Sequence, residues 1–292
     1  MDHEKYETRG YLLEDFRLFH LTDTGMGAVD WHYHNFHKLI FFLSGHASYH
    51  IEGQRYALEP GDLVLVGRGD IHRPEVEPEI PYERVIVYIS PEFLSGQSGE
   101  GCDLESCFSM ARRQFRFVAR PSARQNRWLP ILRNLERALE QEGFGQSLLC
   151  RSIFLQLLIE VNRGVLENDL CYVQNAAFDE KTVAILKYLN GHLTENLPID
   201  QLAARFYISK FYMMRRFRQE TGHTIHSYLV GKRLLLAREL IASGTTVSEA
   251  CYRCGFQDYS TFSRAYKKQF GHAPSHNVDV VEAVGGGDSP ET

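Results

Sequence analysis

At 292 residues the chain is long for one hydrophobic core and about right for two modest domains. Its 43% hydrophobic and 24% charged residues, with a mean hydropathy of -0.31, fit a soluble globular protein and argue against disorder as the rule. The net charge of -5 is an average over unequal parts: Glu180 to His276 holds 14 Lys and Arg against 7 Asp and Glu, and the remainder 18 against 30. One end of the molecule can therefore approach a polyanion and the other cannot.

The opening MDHEKYETRG has no apolar stretch of signal-peptide length, and no run of about 18 apolar residues follows, so a cytoplasmic protein with no membrane partner is expected. Six scattered cysteines fit reduced thiols rather than a secreted disulfide framework. From Phe16 to about residue 90, short apolar or alternating runs (LIFFLSG, ASYHIEGQRYAL, EPGDLVLVGRGD, ERVIVYIS) are broken by turns at Glu52-Gly53 and Pro60-Gly61-Asp62. Such spacing predicts an antiparallel sandwich or barrel. Residues 91–124 read as an irregular connection. Helical periodicity then sets in: Trp128, Ile131, Leu132, Leu135 and Leu139 share one face, and SLLCRSIFLQLLIEV from Ser147 gives a second apolar helix. These helices, about 127–162, suit a homodimer interface or packing against the barrel, and complete a first domain of residues 1–162. A linker over 163–179, a helical domain over 180–276 and a polar Gly-rich tail over 277–292 complete the expected organisation.

The helical third contains an internal repeat. Arg215, Phe217, Arg218, Gly222 and His223 recur as Arg264, Tyr266, Lys267, Gly271 and His272, an offset of 49. Upstream the offset is 48, with Leu202-Ala203 matching Ala250-Cys251, so one residue is inserted at the turn. Each copy reads as helix, tight turn and second helix. In the second copy Phe262, Tyr266 and Phe270 recur every four residues and face a core. Ser260, Thr261 and Arg264, followed by Lys267 and Lys268, lie elsewhere on the helix. A packed back and a small, polar, basic front is what a major groove admits. The Cys251-Tyr252-Arg253-Cys254 run lacks a second CxxC to complete a zinc site, so core packing is the expected role of its thiols.

The segment VSEACYRCGFQDYSTFSRAYKKQFGHAP, and IDQLAARFYISKFYMMRRFRQETGHTIHSYL before it, closely resemble the two helix-turn-helix units of the AraC/XylS family of bacterial transcription regulators. The resemblance implies two recognition helices joined by a longer one over 225–241, entering successive major grooves of double-stranded promoter DNA. By position it assigns Phe211, Met214 and Arg215 to base edges in the first unit, with Lys210 nearer phosphate. In the second it assigns Ser260, Thr261 and Arg264, with Lys267 and Lys268 on phosphates. One departure is Tyr207, which stands where the first unit usually carries a turn glycine.

In the first domain WHYHNFHKLIFFLSG and EPGDLVLVGRGDIH resemble a cupin, the small β-barrel many AraC-type regulators use as a sensor. On a strand His32 and His34 would point to one side, and with His72 could line an effector pocket, beside Trp31, Tyr33 and Tyr49. The same three imidazoles suit a divalent transition metal. Metal-binding cupins usually add a glutamate, however, and this chain has Lys38 there; His37 differs in parity from His34. The fold expected is α+β in two domains, a cupin-like β-barrel with dimerisation helices and an all-α double helix-turn-helix. The function expected is an effector-controlled, homodimeric regulator that activates transcription through RNA polymerase and requires no cofactor. Two alternatives stand beside it: a cupin metalloenzyme targeted to DNA, and a repressor without ligand.

Overall fold

A computed structural model describes residues 12, 14–25, 29–121, 127–166, 171–173 and 180–276. The chain divides into two units between Phe178 and Asp179. The Gly-rich tail expected over 277–292 lies outside the described residues.

The first unit is built on two antiparallel sheets. Strands β1 (Phe16–Asp23), β2 (His37–Ser44), β5 (Leu63–Val66), β7 (Tyr82–Ile89), β8 (Val118–Arg120) and β9 (Cys171–Tyr172) form one, in the order β1-β7-β2-β5-β8-β9. The other is β4 (Gln54–Ala57), β3 (Ala47–Ile51) and β6 (His72–Val76), in the order β4-β3-β6. The β3–β4 hairpin closes through Glu52 and Gly53 at φ 46° and 76°, the paired positive angles of a two-residue turn that matches strand twist. Glu52 is held there by its own carboxylate, which accepts from the Ile71 amide at 2.9 Å. At the second turn, Asp62 accepts the Glu59 amide at 2.8 Å and receives Arg120 of β8 at 2.7 and 2.8 Å.

The expected irregular connection over 91–124 is corrected by the structure. It forms α1 (Pro91–Gln97), α2 (Ser106–Gln114) and β8. These elements are short, and their apolar spacing is too brief to register as periodicity. Ser90 caps α1 by accepting from the Phe93 amide, and proline opens the helix. Helices α3 (Trp128–Leu139) and α4 (Gln146–Leu166) follow. Phe154 of α4 stacks on Phe16 of β1 at 4.0 Å and on Phe93 of α1 at 5.7 Å, so α4 covers the sheet. Asn162 holds α2 to α4, accepting from the Cys107 amide at 2.8 Å and donating to the Leu104 carbonyl at 3.0 Å. The linker expected from 163 is likewise corrected: α4 continues to Leu166, and Cys171–Tyr172 joins the sheet edge as β9.

The second unit is helical: α5 (Glu180–Gly191), α6 (Ile199–Arg205), α7 (Lys210–Thr221), α8 (Ile225–Ala242), α9 (Val247–Arg253) and α10 (Tyr259–Phe270), then a short 3-10 turn at Pro274–His276. Ser209, Thr224, Thr246 and Asp258 cap α7 to α10, each accepting from an amide three residues on. Gly222 and Gly271 end α7 and α10 in the left-handed conformation. Helix α8 is the hub: its Tyr228 meets Phe217 of α7 at 5.6 Å and donates to Asn190 of α5 at 2.9 Å. Among the described residues no helix is long and apolar enough to cross a membrane.

Candidate nucleic-acid interface and sensor site

Each copy of the repeat places a helix whose back is fixed and whose front is open. On α10, Phe262, Tyr266 and Phe270 are buried, linked edge to face at 5.6 and 4.5 Å. Ser260, Thr261, Arg264, Lys267 and Lys268 are all exposed. The Arg264 guanidinium donates to the Ser260 carbonyl at 3.3 Å, which keeps the side chain along the helix front. Asp258 accepts the Thr261 amide at 2.7 Å, and the hydrogen bonds from Thr261 hold its carboxyl below the usual carboxylate range. An ionised cap at this end fixes where the helix starts, and with it the register of the residues behind.

On α7, Met213 and Phe217 are buried, and Phe211, Met214 and Arg215 are exposed, Phe211 by 72%. Lys210, expected near phosphate, pairs with Asp200 of α6 at 3.1 Å on the surface. Tyr212 and Tyr259 also stand on these exposed fronts. Sequence spacing passed over them because an aromatic at helical period reads as core.

The two turns differ as the sequence expected. Gly255 has φ 95°, and a Cβ there would lie 2.9 Å from the Thr194 Cα and carbonyl oxygen, so only glycine fits. Tyr207 adopts φ 53° in the same role, 92% exposed. Cys251 and Cys254 are buried, and burial pushes the Cys254 thiol up to about 11, as expected of inert core thiols.

In the first unit the three histidines come together, though not as a strand pair. His32 lies ahead of β2 and forms an isolated bridge with His72, the two exchanging backbone hydrogen bonds of 3.1 and 3.0 Å. His34 sits in the turn that follows, its carbonyl accepting from Gly69 at 2.9 Å and its ring stacked on Phe36 at 4.2 Å. Ring centroids are 4.4 Å apart for His32 and His72, and 4.7 Å for His34 and His72. One candidate ligand nitrogen from each ring lies within 4.8 Å of the others. Tyr49 of β3 stacks on His72 at 5.9 Å.

Register separates the other candidates. His72 pairs with Ile51, on the face of Tyr49, whereas Arg73 pairs with His50 on the opposite face. Trp31 packs against that opposite pair, 5.7 Å from His50 and 4.8 Å from the Arg73 guanidinium, away from the triad. Tyr33 is half-buried. His37 points outward from the triad, onto Phe108 of α2 at 4.4 Å. Lys38 is buried opposite Tyr88, its ammonium 5.1 Å from that ring, and its charge bears on His72. Burial first, then His32 and Lys38, drives His72 well below the ordinary histidine value and keeps it neutral at pH 7. Tyr88 is fifty residues from Lys38, and only strand register brings it here.

Residues 16–158 match the family model described as AraC-like ligand binding domain, and residues 202–277 the one described as helix-turn-helix domain. The HTH-type transcriptional activator RhaS of Escherichia fergusonii is 28% identical over 255 residues, spanning 85% of this chain and 87% of that protein. RhaS of Escherichia coli strain SMS-3-5 is 26% identical over 247 residues, spanning 83% and 85%. Among solved structures, the DNA-binding domain of AdpA in complex with a target DNA is 32% identical, covering 32% of this chain and 84% of that one at a TM-score of 0.31. The two matched domains take in most of the chain, in the order in which the two folded units occur. The chain belongs to the AraC/XylS family of transcription regulators, with an AraC-like ligand-binding domain followed by a double helix-turn-helix.

Proposed function

We propose that this protein is a cytoplasmic, homodimeric transcription activator, and not an enzyme, in which a small effector bound among His32, His34, His72 and Tyr49 governs how α7 and α10 engage a promoter. The observation that carries the DNA half is the front of α10, where Ser260, Thr261 and Arg264 stand exposed over a back locked by Phe262, Tyr266 and Phe270. Arg264 reads a base edge, Lys267 and Lys268 meet phosphates, and Arg215 with Phe211 and Met214 does the same work from α7. Activation is the sense of regulation that the RhaS relatives' name gives, and contact with RNA polymerase is part of this proposal. Linkage requires that the effector bind the active and inactive arrangements unequally.

The dimer is supported by the turn between α3 and α4. Leu139, Phe144, Leu148 and Leu149 all stand exposed there, a cluster that a second copy would cover.

Genome-wide mapping of bound sites supplies the promoter for a direct test. Arg264→Ala is expected to lose about 1–3 kcal/mol of affinity for that promoter, and far less for random duplex, in fluorescence anisotropy titrations. Equal losses on both would remove Arg264 from base reading and leave it on the phosphates.

A further inference from the structure

We infer that His32, His34 and His72 form a three-imidazole site for one divalent transition ion, such as zinc, inside the ligand-binding domain. The inference extends the effector site proposed above, sharing its residues, and it does not depend on DNA binding.

The tautomers carry the argument. His32 Nδ1 lies 2.8 Å from the Asp30 carbonyl oxygen, and His72 Nδ1 lies 2.8 Å from that of Asp70. His34 Nδ1 is turned the same way, 3.4 Å from the Phe36 carbonyl. A carbonyl has no proton to give, so in the short contacts the ring nitrogen must be the donor. Each such Nδ1–H leaves the lone pair on Nε2. That of His72 is fully buried and, among the described residues, without a hydrogen-bond partner. Buried polar atoms of this kind are rare unless something is held there. Backbone carbonyls that fix the far nitrogen of each ring are what orients histidines toward a metal.

The spacing is close to that required. Three nitrogens at about 2.1 Å from one tetrahedral ion stand about 3.4 Å apart. Here the widest pair is no more than 4.8 Å, so the rings need to close by at most about 1.4 Å. The His32–His72 backbone bridge holds two of the ligands in register whether or not an ion is bound. Lys38 works against the site, because a buried ammonium repels a dication. It lowers affinity without altering the ligand set, and so supplies a variant of opposite sign.

Full-length protein, stripped with a chelator, is titrated with zinc chloride by calorimetry. One ion per chain is expected. His32→Gln, at a half-exposed position whose backbone bridge is kept, is expected to weaken binding at least about tenfold. Lys38→Met is expected to tighten it, which damage to the fold would not do. Cobalt(II) in place of zinc should show nitrogen ligation with no thiolate charge-transfer band. No uptake of zinc, affinity unchanged in His32→Gln, affinity weakened in Lys38→Met, or a thiolate band placing the ion on cysteines would each overturn the inference. Promoter binding by the stripped protein, measured alongside, reports separately on the regulatory reading.

Discussion

Tyr207 and Gly255 occupy equivalent turns, and the backbone treats them unequally. A left-handed φ costs a tyrosine about 1–2 kcal/mol, and at 92% exposure its ring recovers little of that by packing. Tyr207→Gly is therefore expected to stabilise the protein by up to about 1 kcal/mol in urea unfolding, after allowing for the freer unfolded chain. Gly255→Ala is expected to destabilise by more than about 1 kcal/mol, since its Cβ meets the Thr194 backbone. Tyr207 was recognisable in sequence because the first unit of the family it resembles usually carries a turn glycine there. The face on which Trp31 lies was not: a residue outside any strand takes its side from its contacts with His50 and Arg73.

At the scale of elements, β2 shows how much one residue of register decides. Lys38 lies beside the histidine cluster, and its neighbour His37 lies under α2 on the other face. Burial, with Arg68 and Arg112 nearby, holds His37 well below 6.5, and this outweighs Glu105 at 3.4 Å. The folded state then keeps His37 neutral while the unfolded chain takes up a proton below about pH 6.5. Its contribution to stability is complete above that pH and is lost as pH falls toward the folded value, at about 1.4 kcal/mol per unit. Unfolding curves between pH 7 and 5 should be flatter by that amount in His37→Leu. Among the helices, Leu148→Glu beside the exposed α3–α4 turn is expected to break the proposed dimer into monomers in sedimentation, with the core intact. Long periodic elements such as α4 and α10 were legible from their spacing. Helices α1 and α2 were not, because seven to nine residues give barely two turns of pattern and their identity rests on tertiary contacts such as Asn162 to Cys107.

For the molecule as a whole, the charge split makes association with DNA a property of one unit. Its affinity should fall with rising salt, and Lys267→Ala should reduce the slope of log K against log salt by about 0.9 if that lysine neutralises one phosphate. The loss should be the same on promoter and random duplex, unlike that of Arg264→Ala, and anisotropy titrations across a salt series distinguish the two. Composition alone showed this split, and the internal repeat showed which unit reads DNA. The meeting of the three histidines was expected from the resemblance to a cupin; what the fold adds is how it is made, through the His32–His72 bridge between segments forty residues apart. The small strand β9 has a consequence of its own. Docked on β8, with the Val173 amide bonded to the Val118 carbonyl at 3.1 Å, it pins the chain seven residues before α5 begins. Two residues of edge pairing thus make the sheet, and not the end of α4, the last described element of the ligand-binding domain before the helical domain begins.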